Sequence, residues 1–278
     1  IGPRTGDVTQ FKTFEELYGA YKAQMNYMIE LLVNANNAID VAHAERCPLP
    51  YLSSMVEDCI KRGKSVQEGG AVYNFTGPQG FGIANVTDSL WAIKELVFEQ
   101  KKYTLADFKD AMENNFGKGL PKPKAEQLTR AIVSELVQNG KPLSEELVAS
   151  VYKAVTEYKP SPEKQAMYEQ LLKDIESLPK YGNDVAEVDL FARDAAYTYT
   201  KPLEKYKNPR GGIFQAGLYP VSANVPLGAQ TGATPDGRLA CTPLADGVSP
   251  AAGRDKNGPT AACNSVAKID HFIASNGT

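Results

Sequence analysis

Histidine is nearly absent. His43 and His271 are the only two in 278 residues. A histidine-rich metal centre is therefore excluded, and a histidine-based catalytic triad is disfavoured. Cysteine is also sparse. Cys47, Cys59, Cys241 and Cys263 form no CxxC pair, and their spacing matches no zinc signature. They read as reduced thiols in a reducing compartment. There is no excess of basic charge. Thirty Lys and Arg against 33 Asp and Glu give a formal charge of −3, without the basic stripe that a nucleic-acid surface needs. No apolar run is long enough to span a bilayer. No signal-peptide layout is visible, which says nothing of residues before Ile1. With 42% hydrophobic and 23% charged residues, the composition is that of an ordinary soluble globular protein of one large or two smaller domains.

What is abundant is helical periodicity in the first 200 residues. Residues 13–45 read as one long helix, opened by Thr13 and Glu16 in a capping-box spacing. Phe14, Leu17, Tyr21, Met25, Met28, Leu32 and Ile39 supply its apolar repeat, and Pro48 and Pro50 end it. A short helix is expected over 51–62, stopped by Gly63. Residues 69–86 change character, and Val72, Tyr73 and Phe75 suit a short buried strand among close-packing glycines. Helices follow over 87–100 and from Thr104 to about Asn115. The Lys- and Glu-rich stretch 117–178 predicts three amphipathic helices, at 123–138, 144–158 and 162–177. Ser161-Pro162 caps the last of them. This block reads as an inserted helical segment. A further helix spans 184–201, and Asn208-Pro209-Arg210-Gly211-Gly212 breaks the chain.

Beyond 213 the helix signals fade. Ile213 to Tyr219 is a candidate strand that Val221 to Val225 would continue, and Pro235 to Arg238 is a turn by composition. The run from Gln215 to Arg254 is dense in Gly, Pro and Ala and poor in charge, as expected of backbone packed tightly against a neighbour. Gly77-Pro78-Gln79-Gly80-Phe81-Gly82 is neither GxGxxG nor a Walker A sequence, so a packed turn outweighs a phosphate cradle. Gly228 to Ala233 reads the same way. Asp40 and His43 share a helix face, which suits a hydrogen bond better than a metal. Ser222 lies outside a GxSxG elbow. Asp236 and Arg238 flank Gly237 as a structural turn with a local ion pair. The segment from Tyr219 to Asn224 mixes an aromatic ring, a hydroxyl and an amide within otherwise apolar backbone, the ingredients of a small-ligand wall.

Several blocks, in order, resemble the glycyl radical enzyme superfamily. They are IGPRTGD with the following FKTFEELYGAYKAQM, EGGAVYNFTGPQGFGIANVT (Glu68 to Thr87), PKYGND, NPRGG, ATPDGR, PLADGVSP and AKIDHFIASNGT. Within that superfamily SANVPLGAQTGATPDGR is most similar to the choline trimethylamine-lyase and glycerol or diol dehydratase branch, and less so to pyruvate formate-lyase. The resemblance implies an α/β fold, part of a ten-stranded barrel, helix-rich, with the inserted helices. It partitions the chain into 1–116 (helical and partial barrel), 117–178 (helical insertion) and 179–278 (barrel and pocket wall). It implies a lyase or dehydratase cleaving a C–N or C–O bond of a small choline- or diol-type substrate by radical elimination. A formate C-acetyltransferase and a non-catalytic scaffold subunit are the alternatives.

The resemblance also implies that no catalytic residue and no metal site lie in these residues, and it gives only Tyr219, Val221 and Ser222 a pocket-lining, substrate-binding role. The catalytic cysteine loop would fall just before Ile1 and the radical glycine after Thr278. The implied cofactor is a glycyl radical installed by a radical SAM activating enzyme, with no other group bound. The implied partners are that enzyme, a small-molecule substrate and, at full length, a second copy in a homodimer, with neither nucleic acid nor membrane. The expected location is the cytoplasm, with a bacterial microcompartment as the alternative.

Overall fold

A computed structural model describes residues 2–277 of the chain. Helix α1 (Phe14–Arg46) is a single 33-residue rod. The Thr13 hydroxyl accepts the Glu16 amide at its start. The Glu16 carboxylate turns instead to the amide of Lys12, so the reciprocal half of the capping box is shifted by one residue. The buried stripe of α1 runs Phe14, Leu17, Ile29 and Val33. Met28 and Ile39, expected on that face, are exposed. A 3.6-residue repeat drifts round a long rod, so its far end presents a different row of side chains to a core that touches it in two places.

The expected helix over 51–62 is two short ones, α2 (Pro50–Met55) and α3 (Cys59–Arg62), because Asp58 sits at φ 69 between them. Helix α4 (Ile83–Ile93) begins four residues earlier than its periodicity suggests, straight after Gly82 at φ 74. A π-turn at Lys94–Glu99 extends it. Helix α5 (Leu105–Glu113) opens with a complete Thr104–Asp107 capping box. The three helices expected in 117–178 are present as α6 (Lys122–Gln138), α7 (Glu145–Glu157) and α8 (Pro162–Ser177), each of the last two capped by a serine hydroxyl. Helix α9 (Ala186–Leu203) follows, then two short helices, α10 (Asn224–Ala229) and α11 (Pro259–Ala267).

The strand expectations are corrected. Among the described residues no strand forms, and pairing is limited to isolated bridges, two of them parallel, Thr76 with Phe214 and Gln79 with Gly217. Val72, Tyr73 and Phe75 are not buried but 46, 85 and 46% exposed. An extended segment reads as a strand only when neighbours pair with it, and 72–75 has none within these residues. Val221 to Val225 does not extend the 213–219 segment. The chain turns at Ser222 and enters α10, where the Asn224 carboxamide and carbonyl both bond to Leu244.

Three apolar clusters hold the helices together. The first joins Phe14 and Leu17 of α1 to Leu90, Ile93, Leu105, Phe108 and the α8 residues Tyr168, Leu171 and Ile175. The second sets α9, through Val188, Ala192 and Ala196, against Ile83, Trp91, Leu218, Val248 and Ile269. The alanines on α9 let α4 approach closely. The third packs Ile29 and Val33 on Leu203, Phe214 and Ala216, and so ties the rod to the 213–219 segment. Helices α6 and α7 rest mainly on each other, and α7 has no buried residue.

Tyr168 is fully buried, yet its hydroxyl donates to Asp110 Oδ2 at 2.8 Å. The same carboxylate takes Lys164 Nζ at 2.9 Å. Burial pushes Asp110 up, but the bonds from Lys164 and Tyr168 outweigh it and leave the carboxyl below its ordinary range. Tyr168→Phe keeps the ring and removes only the hydrogen bond. It is expected to cost about 1 kcal/mol in urea-induced unfolding. A variant as stable as the wild type would show that the bond contributes nothing.

Candidate functional site

Three segments, two extended and one a turn, meet beside α1, α4 and α9. The first, 76–80, and the second, 213–217, run parallel. The Thr76 amide donates to Ile213 C=O (3.0 Å), Gln215 to Thr76 C=O (2.9 Å), Gly217 to Pro78 C=O (2.9 Å) and Gly80 to Gly217 C=O (2.8 Å). The third is the tail at 274–277. The Asn276 amide donates to Ala216 C=O (3.1 Å), and Leu218 donates to Gly277 C=O (2.8 Å).

Glycine makes room for amide side chains at this junction. A Cβ on Gly77 or on Gly217 would collide with the Asn276 side chain or the Gln79 carboxamide, which fill the space between the stretches. The tail is returned to this place by Asp270. Its Oδ1 accepts the amides of Phe272 and Ile273, and its Oδ2 accepts the Tyr197 hydroxyl at 2.8 Å. The Tyr197 bond is the main reason that the Asp270 carboxyl titrates below its ordinary range.

Of the three candidate wall residues, Tyr219 lies beside this junction. Its ring stands against Gly277, where a Cβ would sit 3.2 Å from Cδ1. Its carbonyl accepts Gln79 Nε2 at 2.6 Å. The side chain is 38% exposed, Ser222 is exposed and Val221 is half-buried. The structure therefore keeps the three on one turn but leaves them open on one side. Residues missed from the sequence belong here too. Gln79 presents Oε1 with no hydrogen-bond partner, next to Tyr219. An uncharged amide in a glycine-rich run carries no motif, so nothing in the sequence singled it out.

Behind the junction, α4 grips the loop 232–248. Asn85 Nδ2 donates to Asp236 Oδ2 (2.8 Å), and Asn85 Oδ1 accepts the Ala245 amide (2.7 Å). The Gly82 amide donates to Ala245 C=O (2.9 Å), and Val248 donates to Leu218 C=O (2.7 Å). Asp236 is wholly buried and pairs with Arg254 at 3.2 Å, not with Arg238 as the turn suggested. The Arg238 guanidinium is committed to loop oxygens, those of Gly232, Thr234, Leu239 and Thr242.

A cavity of about 700 Å³ opens beside this network, lined among others by Asn85, Asp236, Arg238, Asp246 and Arg254, and not by the Tyr219 turn. A second, more apolar groove of about 460 Å³ lies along Val72, Tyr73, Phe75 and Ile213. Asp40 is held by Arg210 at 3.0 Å, so the Asp40–His43 face serves a structural pair.

The Pyruvate formate lyase-like family model matches residues 1–228, and the Glycine radical model matches residues 244–278. The chain is a glycyl radical enzyme sequence of the pyruvate formate lyase-like family. The contacts of Ala245 with Gly82 and Asn85, and the tail against Tyr219, are thus where the two matched regions meet. A solved structure from a study of 1,2-propanediol dehydration in Roseburia inulinivorans is 58% identical, with TM-score 0.94, over all of this chain and 33% of that one. The glycerol-bound B12-independent glycerol dehydratase of Clostridium butyricum is 46% identical, with TM-score 0.79, over all of this chain and 29% of that one. Trans-4-hydroxy-L-proline dehydratase of Clostridioides difficile is 34% identical over the whole chain and 29% of its own length. The chain spans a third or less of each of these relatives. The helices, the paired segments and the tail of this glycyl radical enzyme sequence match part of those structures. Among the described residues no helix is long and apolar enough to cross a membrane.

Proposed function

We propose that these residues form part of a glycyl radical dehydratase acting on a vicinal diol or glycerol. In this reading 1–116 and 179–278 supply outer helices, two neighbouring staves of the ten-stranded barrel (76–80 and 213–219) and one wall of the pocket, while 117–178 is a helical insertion anchored to the core through α8. The apolar groove along Val72, Phe75 and Ile213 is then the place where further staves pack. The observation that carries the reading is the contact of Tyr219 with Gly277, which brings the region matched by the Glycine radical model onto the candidate wall. The high identity to two diol- and glycerol-related structures favours substrates with vicinal hydroxyls over choline, which has one hydroxyl and a quaternary ammonium.

A glycyl radical, installed by a radical SAM activating enzyme and relayed to a cysteine, supplies hydrogen abstraction. The residues here bind and orient. The Tyr219 phenol and the Ser222 hydroxyl hold the substrate hydroxyls. Val221 gives an apolar flank, and the glycine-spaced staves exclude water from the pocket. A carboxylate outside this chain serves as general base. The complete enzyme is a cytoplasmic homodimer or a microcompartment cargo.

The test uses the full-length protein, activated anaerobically by its radical SAM partner. Propane-1,2-diol is expected to give propanal and water, and glycerol to give 3-hydroxypropanal and water. Tyr219→Phe is expected to raise KM about tenfold. The 278 residues alone are expected to turn over nothing. Cleavage of pyruvate with coenzyme A would replace this reading by a formate C-acetyltransferase. Release of trimethylamine from choline would move it to the choline branch. Absence of turnover on all of these would favour a scaffold.

A further inference from the structure

We propose that Asn85 is a positioning residue that sets the placement of the Tyr219 wall through a relay across the Ala245 to Val248 loop. The inference rests on the dehydratase reading for its kinetic consequence, but not for its structural one.

Asn85 is 5% exposed, and both ends of its carboxamide are used. Nδ2 donates to Oδ2 of the buried Asp236, the same oxygen that Arg254 Nη1 holds. Oδ1 takes the amide of Ala245, whose carbonyl accepts the Gly82 amide one turn earlier on the same helix. Both polar groups of the Ala245 backbone are thereby fixed to the start of α4. Two residues on, Gly247 lies so close to Leu218 C=O and the Tyr219 backbone that no Cβ fits, and Val248 then donates to Leu218 C=O. Asn85, Ala245, Gly247 and Leu218 form a continuous contact path that ends one peptide before Tyr219. A carboxamide is the group this position demands. It must donate to a carboxylate on one side and accept from an amide on the other, which neither an ionised Asp nor Leu can do. Ser89 provides the comparison. Its hydroxyl accepts the Asp236 amide at 3.2 Å, so it braces the same loop without touching Ala245.

The experiment uses the full-length protein with Asn85→Asp, the milder Asn85→Ser, and Ser89→Ala as the brace that lies off the relay. Hydrogen exchange is followed at the amides of 217–219 and 245–248, alongside KM and kcat for propane-1,2-diol and the radical yield by electron paramagnetic resonance. In the Asn85 variants, exchange in both segments is expected to rise at least tenfold and KM about tenfold, with radical yield and α9 protection unchanged. Ser89→Ala is expected to leave 217–219 and KM at wild-type values. The proposal is overturned if 217–219 stay protected in Asn85→Ser, or if kcat, radical yield and α9 protection fall together, which marks a general stability role. If Asn85→Asp does not fold, Asn85→Ser decides. If the wild type turns over no diol, the dehydratase reading fails while the exchange comparison still decides the relay.

Discussion

Gly247→Ala is expected to destabilise the protein by about 4 kcal/mol or more, whereas Gly253→Ala costs only about 1–2 kcal/mol. Both glycines have positive φ, +47 and +77, so each substitution carries the left-handed penalty of an L-residue. They differ in what the new methyl meets. At Gly253 nothing lies within 4 Å. At Gly247 the methyl would overlap the Leu218 carbonyl and the backbone of Tyr219, which cannot rotate aside as a side chain can. Relief requires moving either the 245–248 loop, fixed by Gly82 and Asn85, or the 213–219 segment, paired to 76–80 and to Gly277. Every such movement breaks buried backbone hydrogen bonds at about 1–3 kcal/mol each. Urea midpoints of the two variants measure the contrast. Equal losses at the two positions would mean that the loop and the Tyr219 segment are not in the contact described.

The helices were legible in the sequence because their signals are local. Ser161-Pro162 and the Thr104–Asp107 box mark starts within four residues, and the structure begins α8 and α5 there. The paired segments were not legible to the same degree. Whether 72–75 is a buried strand depends on neighbours that these residues do not provide, and hydrophobic Val72, Tyr73 and Phe75 read alike with or without them. Val221 to Val225 carries β-branched residues, but a clamp from Leu244 turns Asn224 into a helix, which a local pattern cannot show. Of the candidate wall, Tyr219 was reachable from composition. Asn85 was not, since its two partners lie 151 and 160 positions away. The family blocks filled part of this gap, because a block such as GPQGFGIAN records long-range packing in its glycines and amides. It does so without saying which amide meets which loop.

The pH dependence of stability is expected to run opposite to ordinary acid denaturation around one carboxyl, Asp88 on α4. Asp88 is 2% exposed, and burial pushes its carboxyl up to about 7. Oδ1 accepts the Tyr181 amide at 3.0 Å, while Oδ2 has no hydrogen-bond partner. Four groups face it. The Tyr181 amide, Lys180 and Arg254 favour the charged form, and Asp236 opposes it. Arg254 cannot serve both carboxylates equally. Its Nη1 lies 3.2 Å from Asp236 Oδ2 and 3.8 Å from Asp88 Oδ2, so the guanidinium hydrogen bond goes to Asp236. Desolvation therefore wins at Asp88. Lys180 gives limited help, because its ammonium is turned to the carbonyls of Ile175 and Leu178, and burial lowers it as well.

A carboxyl raised from 3.8 unfolded to about 7 folded keeps a proton that the unfolded chain has lost. Its contribution to stability is intact below about pH 4 and is lost as pH rises from there through 7, by roughly 2–4 kcal/mol in all. Asn at position 88 keeps an acceptor for the Tyr181 amide and has no charge to bury. Asp88→Asn is accordingly expected to match the wild type near pH 4 and to exceed its stability at pH 8 by roughly 2–4 kcal/mol. Urea midpoints between pH 4 and 8 give the difference between the two proteins directly, with titrating groups remote from Asp88 cancelling. A difference that stays flat across that range would show Asp88 to be ionised in the folded state throughout, with Arg254 shared between the two carboxylates after all.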